Sequence, residues 1–510
     1  MAIAANVLTL FNEGVFWDDW TFYHNSEAGT MAPFYGNGFW IWGHFHFYLN
    51  HFPKPVLLYR VLHLMSFAAT FISFFWLLSQ LKPFKNAAFS VALLAIWLPF
   101  NPVRHTMMVL TNSLCLAFFS VGLVLVYSSL LQQKVGLRWL GLLLILPSFT
   151  LNSLLPFYVI VVGLLVIYHE QLPLSKLLLF STIWRLIAKY KDLVALPLVY
   201  ALIKYQYFRP TGVYSQTQYN AISWKTILYL PVSMFSSLRE SFLGLPREWL
   251  DTLASPIGVA VAAIAFFALR KVVFAAPKNN ISESNRLITI GFLIFLLGLF
   301  PYALVNKIPS FQAYDGRHQI LLAFGGSLFI VGAIEKMTTN LVLYRLIFSG
   351  IVALSLSTTL RFQLSSQRQA FEQTAIIEQL KTNRFVKDNH YFQVVHNTHE
   401  TGGNKIDYLR FYEYSSFFQE AFQTQTRFGV EITDPTFEKY PLKLFLAARE
   451  EYKITQFVEK NQFDGLLIIH KNASFRKDWE VLRLLYLRYT NQTAFLAQLQ
   501  TDVTLTAKPY

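Results

Sequence analysis

Apolar runs long enough to cross a bilayer follow one another through the first two-thirds of this chain, and they constrain its fold more than any single residue. A spanning helix needs about 20 apolar residues, within a range of about 17–25. Segments 56–80, 106–131, 152–168, 252–270, 287–304, 318–334 and 342–360 fit that pattern, and 87–100, 138–150 and 192–205 are shorter candidates. Residues 2–11 read as the second half of one more span. The sum predicts an α-helical polytopic membrane protein of about ten or eleven spans. Only 14% of the residues are charged, against about 25% in soluble domains.

Basic residues set the expected orientation. Alternating through the runs gathers Lys82, Lys85, Lys134, Arg138, Arg185, Lys189, Arg270, Arg286 and Lys336 on one side. That side is cytoplasmic by the positive-inside rule. The opposite, non-cytoplasmic side receives the segment around Asp18, residues 101–105, a long loop over 206–251, residues 306–317 and everything after about 359. Hydropathy changes at Phe362. Residues 366–386 read as a polar helix, 391–396 and 465–470 as strands, and 440–460 and 478–500 as helices. Two domains are expected: a transmembrane one over 1–361 and a soluble α/β or α+β one over 362–510.

The net charge of +14 suits anionic lipid headgroups or phosphorylated lipids. No nucleic-acid partner is expected, because the basic residues lie between apolar runs. Cys115 is the single cysteine, so an intrachain disulfide is excluded. Residues 1–11 lack the basic start and cleavage site of a signal peptide. No glycine-rich phosphate-binding motif follows a strand, which argues against a nucleotide site.

Asp18 and Asp19 stand side by side between Trp17 and Trp20. Acidic pairs beside a bilayer are costly and mark functional sites; the plainer alternative is a helix cap. The tryptophans would seat the pair at headgroup level. The aromatic stretch 31–55 reads as a helix lying in the interface. Its His44 and His46 are two residues apart and do not share a helix face. A second candidate is Tyr314-Asp315-Gly316-Arg317-His318, directly before an apolar run. An Asp315–Arg317 surface pair is the alternative there, and Arg104, Arg209, Arg239 and Arg247 are further cations assigned to the same side. Tyr205, Tyr207, Tyr214 and Tyr219 in the long loop suit stacking on a sugar or an interfacial belt.

An acidic pair on the first external loop, an interfacial helix, some ten spans and an external soluble domain together resemble the GT-C superfamily of polytopic glycosyltransferases. The residues carrying the likeness are Trp17-Asp18-Asp19-Trp20 and Arg317. His318 stands where many members have Tyr, and Asn101-Pro-Val-Arg-His105 lacks the acid that metal-dependent members carry there. The resemblance implies a polyprenyl-phosphate-linked sugar donor, a glycan, lipid or protein acceptor, and a place in a bacterial inner membrane with the site outside the cytoplasm. It implies Asp18 as base, Asp19 as its catalytic partner, and Arg317, with Arg104 and Arg247 behind it, on the donor phosphate. The missing acid argues against a metal cofactor; a divalent cation, Mg or Mn, if used, would be held by Asp19 and Glu27. Two other classes compete: a polysaccharide polymerase or O-antigen ligase, and a transporter of lipid-linked glycans.

Overall fold

In the computed structural model, residues 6–23, 25–173, 179–211, 222–270, 281–311, 313–396, 409–432 and 463–510 are described. The helical part begins with α1 (Glu27–Gly36), α2 (Trp40–Asn50), α3 (Pro55–Gln80), α4 (Ala88–Trp97), α5 (Leu110–Gln132), α6 (Val135–Ser148) and α7 (Leu154–His169). It continues with α8 (Phe180–Lys189), α9 (Lys191–Tyr207), α10 (Trp224–Phe242), α11 (Gly244–Leu253), α12 (Pro256–Leu269), α13 (Ile281–Leu304), α14 (Leu322–Met337) and α15 (Leu341–Thr382).

Among the described residues four helices, α3, α5, α13 and α15, are long and apolar enough to cross a membrane. The count is up to five if the pair α10–α11 and α12, bent by 104°, is one span. Expected spans at 87–100, 138–150, 152–168, 192–205 and 318–334 fold as helices of 10, 14, 16, 17 and 16 residues. Each is shorter than a typical span of about 20 residues. The segment expected to be a half-span is a short 3₁₀ turn, Val7–Phe11. The aromatic interfacial stretch divides into α1 and α2 at Gly38, whose φ of +76 only glycine adopts at no cost. The expected loop over 206–251 is largely α10 and α11; Tyr214 and Tyr219 lie outside the described residues.

Helices α13 and α14 touch backbone to backbone. A Cβ on Gly325 would lie 2.3 Å from Phe295 N and 2.6 Å from Gly291 O, and one on Gly291 would lie 2.4 Å from Phe329 N. Small residues at such crossings let helices approach where apolar burial alone gives no drive. Gly325→Val is therefore expected to force the pair apart and leave little monodisperse protein on size exclusion after detergent extraction, since overpacking costs about 1–3 kcal/mol or more. A normal elution profile would refute that close crossing.

Helix α15 runs unbroken for 42 residues, so the expected polar helix at 366–386 is its continuation. The division expected at residue 361 falls inside this helix. Beyond it come α16 (Arg384–Asp388), β1 (Tyr391–His396), α17 (Phe411–Phe422), β2 (Phe428–Glu431), β3 (Gly465–Lys471), α18 (Asp478–Thr490), α19 (Gln492–Asp502) and β4 (Val503–Pro509). The sheet order is β2-β1-β3-β4. Strand β1 pairs in parallel with β2 and β3, and β3 pairs antiparallel with β4. Both expected strands are present; the helix expected at 478–500 is broken at Asn491, whose side chain caps α19. The helix expected at 440–460 lies outside the described residues.

The core has two parts. One joins α4, α5, α7, α13 and α14 through residues such as Leu94, Phe119, Phe157, Leu299 and Leu328. The other joins the acidic turn and α3 to the C-terminal sheet through Trp20, Phe22, Tyr59, Phe371, Phe392 and Phe417. This second core sets the position of the site.

Candidate functional site

Residues Trp17–Thr21 form a 3₁₀ turn that opens with Trp17 at φ +48. A bulky residue rarely occupies that left-handed region, which costs on the order of 1–3 kcal/mol. Several contacts hold it there. Its backbone N–H donates to Glu413 Oε1 at 3.3 Å, and its ring packs 5.5 Å from Tyr314 and 6.0 Å from His105. Trp20 is buried against Tyr23 and Phe417.

The turn sends the two adjacent carboxylates to different surroundings. Asp19 is fully buried. Its Oδ2 accepts the Met107 N–H and its Oδ1 the Met108 N–H, each at 2.7 Å. Burial pushes its carboxyl up to about 7, while these N–H groups pull the other way. Asp19 thereby ties the turn to the 101–109 loop. Asp18 is half-buried, and its Oδ1 accepts the Tyr412 hydroxyl at 2.8 Å. The donor comes from α17, so the C-terminal part of the chain sits directly on the acidic turn.

Asp18 lines a cavity of about 590 Å³. Its walls come from α1 and α2, the N-terminal ends of α5 and α7, the C-terminal ends of α9 and α13, and the 305–318 loop. Three cations line it: Lys204, Lys307 and Arg317. Lys204 Nζ donates to Asn152 Oδ1 at 2.8 Å. The Arg317 guanidinium lies 3.6 Å above the Tyr314 ring and donates to Tyr314 O at 3.0 Å. Burial, with Arg317 and Lys307 nearby, pushes His318 down to about 2, so it is neutral. Thr111, Asn112, Thr150 and Asn152 add uncharged polar groups, and Phe34, Phe39, Trp42 and Phe300 add aromatic wall. The arrangement has one carboxylate for a hydroxyl proton, cations for a phosphate, and apolar surface for a chain.

Asp18 and Arg317 thus share one cavity. Arg104 does not reach it: its guanidinium donates to Asn101 O, Asn6 Oδ1 and Phe100 O and lines a separate, smaller cavity. Arg247 is exposed on α11, Arg209 covers its own Tyr205 ring, and Arg239 pairs with Glu240. Asp315 lies 3.9 Å from His318 Nδ1. Gly316 does not serve a left-handed turn, but a Cβ there would lie 2.5 Å from Pro102. Glu27 is exposed in the first turn of α1, whereas both Asp19 oxygens are taken by N–H groups. Asp19 and Glu27 therefore do not fit a divalent cation. Among the described residues no cluster of three or more His, Cys, Asp or Glu is set to hold one. His46 is buried, and its Nδ1 meets Tyr59 Oη at 2.7 Å.

Sequence reasoning missed Lys204, Lys307, Tyr412 and Glu413. Lys307 had a signal, since it belongs to the basic 306–317 loop; nothing local marks Tyr412 or Glu413. Glu413 is 1% exposed; its Oε2 accepts the Arg410 N–H at 2.9 Å. Burial pushes its carboxyl from 4.5 to about 8, and Asp18 adds to the push. Between those values the folded chain holds a proton that the unfolded chain has lost, so stability falls as pH rises. The contribution is complete below about 4.5 and lost as pH passes about 8. Tm measured from pH 6 to 9 is expected to fall more steeply in the wild type than in Glu413→Gln; equal slopes would exclude Glu413 as the titrating group. No protein-family model, curated protein or solved structure matches the chain.

Proposed function

We propose that this chain is a GT-C-type integral membrane glycosyltransferase. It moves a sugar from a polyprenyl-phosphate-linked donor to a glycan, lipid or protein acceptor on the non-cytoplasmic face of a bacterial inner membrane. The observation that carries the reading is the shared cavity of Asp18, Lys204, Lys307 and Arg317. Exposed apolar side chains on the helices, among them Met65, Ile72, Leu143, Val159 and Ile264, suit a lipid surrounding.

In this mechanism the acceptor hydroxyl lies against Asp18, whose carboxylate takes its proton as the oxygen attacks the anomeric carbon. The bond from that carbon to the phosphate oxygen breaks and the glycosidic bond forms. Polyprenyl phosphate leaves with the electron pair, and the three cations hold its charge; Arg317 presents two parallel donors. Tyr412 fixes the rotamer of Asp18 through the hydrogen bond to Oδ1.

The test is to incubate purified protein with a panel of polyprenyl-phosphate sugars and candidate acceptors and to follow donor loss. Release of polyprenyl phosphate with one sugar added per acceptor supports the transferase. Growth of a repeating polymer from a lipid-linked oligosaccharide would replace it with the polymerase or ligase class. Movement of intact donor across proteoliposomes without consumption would replace it with a transporter.

A further inference from the structure

A second cavity, of about 50 Å³, lies between α3, α4, α5 and α14. Arg60 and Arg104 both line it. Arg60 is 1% exposed; it donates from Nε to Asn12 O at 3.3 Å and from Nη2 to Gly14 O at 2.7 Å. Its Nη1 is buried and has no hydrogen-bond partner among the described residues. Arg104 lies 5.1 Å over the Phe67 ring and bonds only uncharged acceptors. His63 also lines the cavity, its Nε2 2.8 Å from Thr106 O and its Nδ1 3.1 Å from Ser113 Oγ. A ring donating to the carbonyl and accepting from the hydroxyl is neutral and adds no charge.

Among the described residues no carboxylate lines this cavity. The negative group that acts on Arg60 is Asp19, whose two oxygens already accept the N–H groups of Met107 and Met108. Two guanidinium charges against at most one carboxylate charge leave an excess of at least one positive charge. A buried charge without a counterion is strongly unfavourable, and an arginine does not shed its proton to escape. By this measure one water-sized occupant needs about 10–15 Å³, so the space admits a halide but not a phosphate ester with its chain.

We propose that Arg60 and Arg104 hold a buried monovalent anion of chloride size. The ion neutralises the pair and occupies the free Nη1 of Arg60. It thereby steadies the carbonyls of Asn12 and Gly14, which lead into the turn bearing Asp18. The site is separate from the large cavity and does not depend on the transferase reading.

The experiment uses the full chain in detergent, with unfolding followed in sodium gluconate, chloride and bromide at fixed ionic strength. The expected result is a saturable rise in Tm of roughly 2 °C in chloride and bromide over gluconate, and an anomalous bromide peak beside Arg60 in crystals grown in sodium bromide. Arg60→Met should abolish the halide response; Arg60→Lys, which keeps the charge but loses the fork, should weaken halide binding roughly tenfold. Arg317→Ala should leave the response intact. Equal Tm in all three salts overturns the proposal, as does a bromide peak confined to the large cavity. The wild-type anomalous map decides the matter even if both Arg60 variants fail to fold.

Discussion

Asp18→Asn is expected to lower sugar transfer by about 10²–10⁴-fold, the usual cost of removing a general base, with Tm unchanged within about 1 °C of wild type. The neighbouring Asp19→Asn should do the reverse and lower Tm first. The two substitutions are chemically identical and one residue apart, so the contrast isolates what each carboxylate touches. Asp18 is half-buried, and Tyr412 donates to its Oδ1; an asparagine keeps an Oδ1 for that hydroxyl. What it loses is the ability to take a proton. Asp19 is enclosed and accepts two backbone N–H groups at 2.7 Å, one on each oxygen. An asparagine there turns an NH₂ towards one of those donors and leaves it without an acceptor, at a cost of about 1–3 kcal/mol. Turnover and Tm measured on both variants give the result. Wild-type turnover in Asp18→Asn would remove Asp18 from the mechanism, and an unchanged Tm in Asp19→Asn would refute the tie to the 101–109 loop.

That division of labour was not legible in the sequence, which offers Asp18 and Asp19 as equivalent neighbours. A 3₁₀ turn with Trp17 in the left-handed region separates them, and the forces that hold Trp17 come from Glu413 and Tyr314, far along the chain. The same distance hid Tyr412, which is 394 residues from Asp18. Local patterns were legible where a single element is marked by its own composition: β1 and β3 read as short apolar runs, and the long apolar helices α3, α5 and α13 read from length alone. Strand β4, Val503–Pro509, escaped because its burial alternates only weakly against a mostly exposed face. Helix α15 was read as two elements because its surroundings change from an apolar bundle to a polar sheet while its backbone continues unbroken. Helices α7 and α14 were read as full spans, and α4 and α6 as shorter ones, because hydropathy measures composition and does not register where capping and turns end a helix. The burial of Trp20 was not legible locally, because the second core that encloses it is built from both ends of the chain.

The other large effect is expected at Arg317. Arg317→Ala should reduce donor use by about 10–100-fold, the range for losing a charge-assisted hydrogen bond of about 1.5–3 kcal/mol. Arg317→Lys should fall between Ala and wild type. The guanidinium carbon lies 3.6 Å from the centre of the Tyr314 ring, and the same ring packs 5.5 Å from Trp17, the residue before Asp18. Arginine is thereby pre-oriented relative to the carboxylate. A lysine keeps the charge but has neither the plane for stacking nor the paired donors for two phosphate oxygens. Lys204 and Lys307 line the same cavity, so donor binding is weakened in the Ala variant and not abolished, and the loss should grow when Lys307→Ala is added. Asp315→Ala supplies the control. Asp315 is not among the residues lining the cavity and lies 3.9 Å from His318 Nδ1, so turnover should stay near wild type. The measurement is initial rate against donor concentration for the four variants at fixed acceptor. Arg317→Ala and Asp315→Ala both matching wild type would leave the Arg317 guanidinium without a part in donor recognition, and the phosphate would have to be held by the two lysines alone.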